Sequence, residues 1–389
     1  MHHPEEHVVI LERGKTVLQK VRISGGGRCN VTHACWDPRE LTSFYPRGGR
    51  ELLGPFHHFA CGDTMGWFAD RGVDLKIEDD GRIFPITDSS QTIIDCLEGT
   101  ARKHGVRVQT GMRVTEIHPP SADASSPADT PPRWTVVTPR QTFHPDRLVV
   151  TTGSNPAAWK MLATVGHTLV DPVPSLFAFD TKDTRLRDLS GISLPWAALR
   201  IEGEKLQAEG PLLITHRGLS GPAVLRLSAW GARRLAPRKY QFDLVVNWLN
   251  RRQEDVAEQL TKLKAAEARR QLPARAYFDL PIRLWKSLIA AAGIPPDQQW
   301  AQLNKEQLKA LAAQLTAARF RITGKSTNKE EFTTAGGVDL REVDFRSFRS
   351  KLHPTLYLAG EVLDVDAITG GFNFQAAWTG GYLIGTAEG

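Results

Sequence analysis

The stretch LYLAGEVLDVDAITGGFNFQAAWTGGYLIG, residues 356–385, constrains the fold more than any other part of the chain. A short apolar run ends in Gly360 and Glu361, the acids Asp364 and Asp366 precede the pair Gly370-Gly371, and an apolar stretch opens at Asn373. Strand, glycine loop and helix in that order make a ligand cradle. Backbone without Cβ atoms lets a flat group come close, and the free N–H groups at a helix start hold an electron-rich carbonyl or a developing anion. Read as a plain connection between a strand and a core helix, the same residues would use Asp364 and Asp366 as turn or capping groups.

A second glycine loop lies at the other end of the chain, in SGGGRCN, residues 24–30. Gly25, Gly26 and Gly27 can be a flexible turn or a place of close approach, while Arg28 and Asn30 beside them offer a guanidinium and an amide to phosphate or carbonyl oxygens. Before that loop, the β-branched run Val8–Leu11 reads as a buried strand with Glu12 at its carboxyl edge, where dinucleotide folds place an acid that accepts from ribose hydroxyls. Such an acid should follow a Gly-x-Gly-x-x-Gly by about 20 residues. Only 11 residues precede Glu12 and none is glycine, so the expectation is a start roughly 25 to 30 residues upstream, about one βα unit.

Between the two loops the pattern changes several times. Leu75–Ile77 and Arg82–Ile86 flank the turn Asp79-Asp80-Gly81 and predict a hairpin. Ile93, Ile94, Leu97 and Ala101 recur at helical spacing behind Ser89, so a helix should run to about His104 and stop at Gly105. Strands are expected at Val106–Gln109, Val114–Ile117, Trp134–Thr138 and Phe143–Val150, the last running into Thr151-Thr152-Gly153, with a solvated loop over Pro119–Pro132. From about 167 to 246, short strand-like pieces broken by Gly and Pro predict an inserted β domain; from about 247 to 324, helical periodicity takes over, with Asn304 as a cap. The expected organisation is therefore 1–166 and 325–389 as the two parts of an α/β ligand-binding domain, with insertions at 167–246 and 247–324.

Composition narrows the function classes. The chain has 389 residues with 49 Lys and Arg against 43 Asp and Glu, and no block of five like charges, so the modest excess of +6 predicts no nucleic-acid partner. Cys29, Cys35, Cys61 and Cys96 show neither a zinc spacing nor a disulfide framework, and His57 and His58 near Cys61 lack a third ligand of evident spacing; no metal and a cytoplasmic setting are expected. No run approaches the length of a membrane span.

LERGKTVLQKVRISGGGRCNVTHACWDPRELTSFYPRG, EDDGRIFPITDSSQTIIDC, HRGLSGPAVLRLSAW and the 356–385 stretch together resemble the BaiN-like (YhiN-like) family of NAD(P)/FAD-dependent oxidoreductases, a group that includes aminoacetone oxidase. The resemblance covers nearly the whole chain. It implies an FAD-binding, Rossmann-like fold of the two-dinucleotide-binding type with an inserted small β-barrel-like domain and an inserted helical domain. Carried onto this sequence, it makes Glu12 the ribose acid, puts Gly25, Gly26, Gly27, Arg28 and Asn30 beside the isoalloxazine and gives Val114 an adenine-side backbone contact. Thr152 and Gly153 form a turn whose next residue, Ser154, departs from the family's glycine. Gly360, Glu361 and Asp366 fall near the ribityl and pyrophosphate, and Gly370, Gly371, Asn373 and Phe374 at the helix start under the pyrimidine.

The expected activity is hydride transfer between a small-molecule substrate or NAD(P)H and FAD. His33, Cys29 and Arg28 sit in the right loop, but packing or capping suits each as well as proton transfer, so no catalytic side chain is assigned. The alternative is a catalytically inactive remnant acting as an interaction protein.

Overall fold

The computed structural model describes residues 6–120, 133–326 and 333–387. The chain divides into two compact units, Met1–Val173 with Thr333–Gly389, and Pro174–Phe332.

In the first unit the strand Val9–Leu11 runs parallel to Arg107–Gln109, and Leu148–Val150 runs parallel to Leu356–Leu358. Leu356–Leu358 continues antiparallel through Arg349–Ser350 to Val343–Asp344. The two parallel pairs belong to separate sheets, and their β-branched residues Val8, Ile10, Val108 and Val149 are 40–46% exposed, whereas the run Val8–Leu11 was expected to be buried. The single strand expected over Phe143–Val150 is two, Thr142–Phe143 and Leu148–Val150, because Pro145 between them has no N–H to donate. The expected strand at Val114–Ile117 begins later, at Glu116. Of the loop expected over Pro119–Pro132, residues 121–132 lie outside the described residues.

The expected helix is Ser90–Lys103. The Ser89 hydroxyl accepts from Gln91 N, and Gly105 turns the chain away at φ +72°. Its Ile93 and Ile94 pack with Val21, Cys29, Val31 and Phe68 into one core, which carries the stretch after the first strand against the C-terminal helix. Helix Gln19–Gly27, broken by non-helical φ/ψ at Ser24, Gly25 and Gly26, was not shown by the sequence pattern, since VLQKVRIS has too few turns to display a period. The hairpin Leu75–Ile77/Arg82–Pro85 is present and takes Thr32–His33 as its third strand.

In the second unit seven short strands form one antiparallel sheet. The stretch Ala318–Ser326 pairs with Phe242–Asn247 through its first half and with Ala178–Asp180 through its second, so the sheet curls back onto itself. That curling leaves no long free edge. LRIEGEKLQAEG forms the expected hairpin between Ser193–Ile201 and Gln207–Thr215, with Gly203 at φ +76°. The stretch expected to be wholly β also contains a helix, Pro222–Leu235, whose Ala223, Val224, Leu227, Ala232 and Leu235 are buried at helical spacing. Helices Gln253–Ala266, Ile282–Ala291 and Lys305–Thr316 complete the unit, the last capped by Asn304 Oδ1 accepting from Gln307 N at 2.8 Å. Strand and helix residues here share a continuous core, from Phe179 and Leu199 to Trp285 and Leu311.

Candidate functional site

The C-terminal loop is built by its own helix. Gly371 stands before helix Phe372–Thr386 at φ +95°, a left-handed conformation that glycine adopts without a Cβ penalty. Asn373 folds back on the loop: its Oδ1 accepts from Ala367 N at 2.9 Å and its Nδ2 donates to Ala367 O at 3.3 Å. The Asn373 side chain thus closes the loop that holds the helix start in place.

The two remote glycine loops meet. With the Asn30 amide oriented as its partners require, Oδ1 accepts from Gly371 N and Nδ2 donates to Thr32 O, both at 3.0 Å. Thr32 Oγ1 donates to Gln375 Oε1 at 2.6 Å, Thr64 Oγ1 donates to the same oxygen at 2.9 Å, and Trp378 Nε1 donates to Val31 O at 2.9 Å. The approach is so close that a Cβ on Gly371 would lie 2.6 Å from the Thr32 carbonyl. His33 Nδ1 donates to Gly370 O at 3.0 Å, the tautomer following from the carbonyl partner, and Nε2 faces Gly81. Burial lowers the His33 pKa, with the Gly370 carbonyl opposing, so the ring brackets the two loops as a neutral imidazole.

Gly25, Gly26 and Gly27 all have positive φ, at 57°, 68° and 87°. A Cβ on Gly25 would strike Phe84 at 2.8 Å, whereas Gly26 and Gly27 border open space with nothing within 4 Å. Bare backbone is therefore presented there, which is the condition for a flat ligand to lie against it. Arg28 is engaged otherwise: Nη1 donates to Glu78 at 2.6 Å and Asp88 at 3.3 Å, and the guanidinium lies 3.9 Å over the Phe84 ring. Burial pushes the Cys29 thiol up to about 11, so it is protonated at neutral pH.

A second cluster forms at the carboxyl ends of the parallel strands, the place where open α/β sheets bind ligands. After Val150 come exposed Thr152 and Gly153 at φ +62°; after Leu358 come Gly360 at φ +76° and Glu361. Lys20, from the helix the sequence did not reveal, pairs with Glu361, and both lie within 4.0 Å of a Cβ placed on Gly153. Asp366 is fully buried and bonded through both oxygens to Arg47, so it fixes the loop rather than facing outward. Lys20 and Arg47 fall inside the stretch that carries the family resemblance, but nothing in its spacing marks either cation for a partner 341 or 319 residues away. Phe374 stacks on Trp378 at 5.6 Å.

Glu12 and Val114 stand apart. Glu12 Oε1 accepts from Gly14 N, and among the described residues no hydrogen bond or ion pair links Glu12 or half-buried Val114 to either cluster. Nor, among the described residues, do three His, Cys, Asp or Glu side chains gather as a metal would need.

Comparison with known proteins bears on this arrangement. The sequence profile described as the HI0933-like protein Rossmann domain matches residues 1–387. This chain belongs to the HI0933-like family, a family of FAD-dependent oxidoreductases. Among HI0933-like relatives, the ribosomal RNA dihydrouridine synthase of Haemophilus influenzae is 26% identical over 385 residues, covering 96% of this chain and 90% of that one. The 3-dehydro-bile acid delta(4,6)-reductase of Clostridium scindens is 28% identical over 401 residues, covering 98% and 93%. Among solved structures, a 3-ketosteroid-delta4-(5alpha)-dehydrogenase from Rhodococcus jostii aligns at 14% identity with a TM-score of 0.46, covering 98% of this chain and 92% of that one.

Proposed function

We propose that this HI0933-like chain is a flavin-dependent reductase of carbon–carbon double bonds conjugated to a carbonyl. The names of its relatives support that class: dihydrouridine is uridine with its C5–C6 double bond reduced, and a delta(4,6)-reductase removes double bonds conjugated to a 3-oxo group. The observation that carries the reading is the junction of Asn30 with Gly371, which brings the bare backbone of one glycine loop to the start of a helix from the other end of the chain.

FAD fits the residues present. Gly26 and Gly27 offer open backbone to the flat ring, and the amides of Phe372, Asn373 and Phe374, which have no partner within their own helix, suit the electron-rich carbonyl edge of the pyrimidine. Lys20 and the turns at Gly153 and Gly360 suit phosphate, and Glu12 suits ribose hydroxyls. Flavin held there would supply hydride chemistry at N5, with electrons from NAD(P)H, to the carbon of the double bond distal to the carbonyl, the carbon beside the carbonyl taking its proton from solvent.

The chain's contribution is positional and electrostatic. The positive end of helix Phe372–Thr386 would stabilise negative charge on a flavin carbonyl edge held there, and the Asn373 clamp on Ala367 keeps that end from shifting. Neutral His33 and protonated Cys29 add no charge to the loop, and its guanidinium, Arg28, is held by Glu78 and Asp88. Four free cysteines support a reducing, cytoplasmic setting, and no described helix is long and apolar enough to cross a membrane.

The test is to titrate purified protein with FAD, reduce the bound flavin anaerobically with NADPH, and add 2-cyclohexen-1-one. The expected result is flavin absorbance, bleaching, then recovery with formation of cyclohexanone. A protein that binds FAD but is reoxidised by oxygen and never by an enone would overturn the reductase reading; one that binds no FAD would support the inactive alternative.

A further inference from the structure

Cys35 and Cys61 take no part in the reductase chemistry, yet the fold brings them together from separate segments of the first unit. Three contacts hold residues 32–36 against the start of helix Cys61–Ala69. Thr32 Oγ1, at 2.6 Å, and Thr64 Oγ1, at 2.9 Å, donate to the same oxygen of Gln375, so one buried amide ties both segments. The Cys61 sulfur lies within hydrogen-bond reach of the Thr32 hydroxyl and of the backbone N–H groups of His33 and Cys35. The Trp36 ring stands 4.0 Å from the place a Cβ on Gly62 would take.

A sulfur held at the Cys35 N–H lies beside the thiol of that same residue, since the amide nitrogen and Sγ of one cysteine are only about 3–4 Å apart. The arrangement suits the Cα separation of about 4.4–6.8 Å that a disulfide asks for. The other cysteines have different neighbours: Cys29 lies against Ser24, and Cys96 against Thr100. A metal would need further ligands, and among the described residues no three His, Cys, Asp or Glu side chains gather. We propose that Cys35 and Cys61 are an oxidation site, a dithiol that closes to a disulfide and ties the segment leaving strand Thr32–His33 to the start of helix Cys61–Ala69. The proposal goes beyond the reductase reading and uses no flavin.

The oxidant is a hydroperoxide, small enough to reach a buried thiol. Cys35, which keeps a trace of exposure where Cys61 has none, reacts first. Its thiolate attacks the O–O bond, becomes a sulfenic acid and, from hydrogen peroxide, releases water. The Cys61 sulfur then displaces the sulfenic oxygen, which leaves as a second water with the Cys61 proton. One S–S bond forms, one O–O bond breaks, and two electrons pass from the sulfurs to the peroxide.

Burial sets the pace of both directions. It pushes the Cys35 thiol up to about 12 and raises Cys61 too, against the hydrogen bonds from Thr32 and the backbone that pull Cys61 down. Thiolate is therefore scarce at neutral pH and closure is slow. The same high values make each sulfur a poor leaving group, so the closed disulfide also yields slowly to small thiols. Such a pair registers sustained oxidation and ignores a brief pulse.

The test exposes full-length protein, reduced and desalted, to hydrogen peroxide under native conditions. It is then denatured in N-ethylmaleimide, digested with trypsin and read by mass spectrometry. Peptides 29–39 and 51–71 should appear linked, with fragment ions placing the bond on Cys35 rather than Cys29, and dithiothreitol should restore all four thiols. The linked protein should unfold at a urea concentration about 1 M higher than the reduced one, because residues 35–61 become a closed loop in the unfolded chain. Cys35→Ser should remove both the link and the shift, and Cys96→Ser should remove neither. Cys61→Ala repeats the test from the other side should Cys35→Ser lose its far-UV circular dichroism.

Four alkylated thiols after prolonged peroxide treatment, a sulfinic acid at Cys35 without the link, a bond from Cys61 to Cys29, or a midpoint that falls on oxidation would overturn the proposal. None of these readouts involves flavin or an enone, so failure here leaves the reductase reading standing, and failure of that reading leaves the dithiol untouched.

Discussion

Gly371→Ala tests the junction on which the site depends. The new Cβ would meet the Thr32 carbonyl carbon and oxygen at 2.6 Å and its Cα at 2.8 Å, and all three are backbone atoms that no rotamer change can move. The left-handed conformation at φ +95° adds about 1–2 kcal/mol for any residue with a Cβ. Overpacking adds roughly 1–3 kcal/mol, and loosening the Asn30–Gly371 hydrogen bond about 1 kcal/mol more. The expected loss is therefore about 3–6 kcal/mol, which at a urea slope of about 2–3 kcal/mol/M moves the midpoint by more than about 1 M.

Gly26→Ala is the contrast. Its φ of +68° carries a similar backbone cost, but the Cβ meets nothing within 4 Å, so stability should fall by only about 1 kcal/mol while FAD binding weakens at least tenfold. Urea titration by circular dichroism reads stability, and flavin absorbance reads binding. A Gly371→Ala protein whose midpoint stays within about 0.3 M of the parent would refute the claim that the two loops are in contact.

Asp366→Asn leaves Arg47 without its buried carboxylate and should destabilise by about 3 kcal/mol, as breaking one side of a buried pair does; a change under about 1 kcal/mol would show the pair to be dispensable. Stability should fall as pH drops from 7 to 5.5. Burial holds the His167 pKa below its ordinary value against the pull of Glu342, so the unfolded chain takes up the proton first, at about 6.5, and draws the equilibrium toward itself. Glu342 adds to the loss at still lower pH, since burial would raise its pKa but hydrogen bonds from Thr168 and His167 hold it below the usual range. His167→Gln should flatten the upper part of this profile, measured as urea midpoints, and an unchanged profile would show that His167 does not set it. Iodoacetamide at pH 8 should label half-buried Cys96 well before Cys29 or Cys35, whose thiols burial pushes up to about 11 and about 12; mass spectrometry of the intact fold reads the order, and fast labelling of Cys29 would contradict its burial.

Local signals were legible where a residue acts through its own backbone. Gly81, Gly105, Gly203 and Gly371 mark turns that the structure contains, and Ser89 and Asn304 cap the helices they introduce, because positive φ and capping are properties of a few consecutive residues. Helix Pro222–Leu235 was hidden by the Gly and Pro residues around it, and Gln19–Gly27, kinked at Ser24, has too short a regular part to show a period.

The sequence by itself determined that two glycine loops and a family pattern address a flavin, since glycine spacing and strand–loop–helix order are written in the chain. Only the tertiary structure decided what each polar side chain does with its donors and acceptors. Arg28 goes to Glu78 and Asp88, Asp366 to Arg47, Asn373 to Ala367, while Lys20, which no spacing singles out, arrives beside Gly153 and Glu361. The reason is that a charge or an amide takes whichever partner lies within about 3 Å of it, and partners 50 or 341 residues away in the chain are chosen by packing.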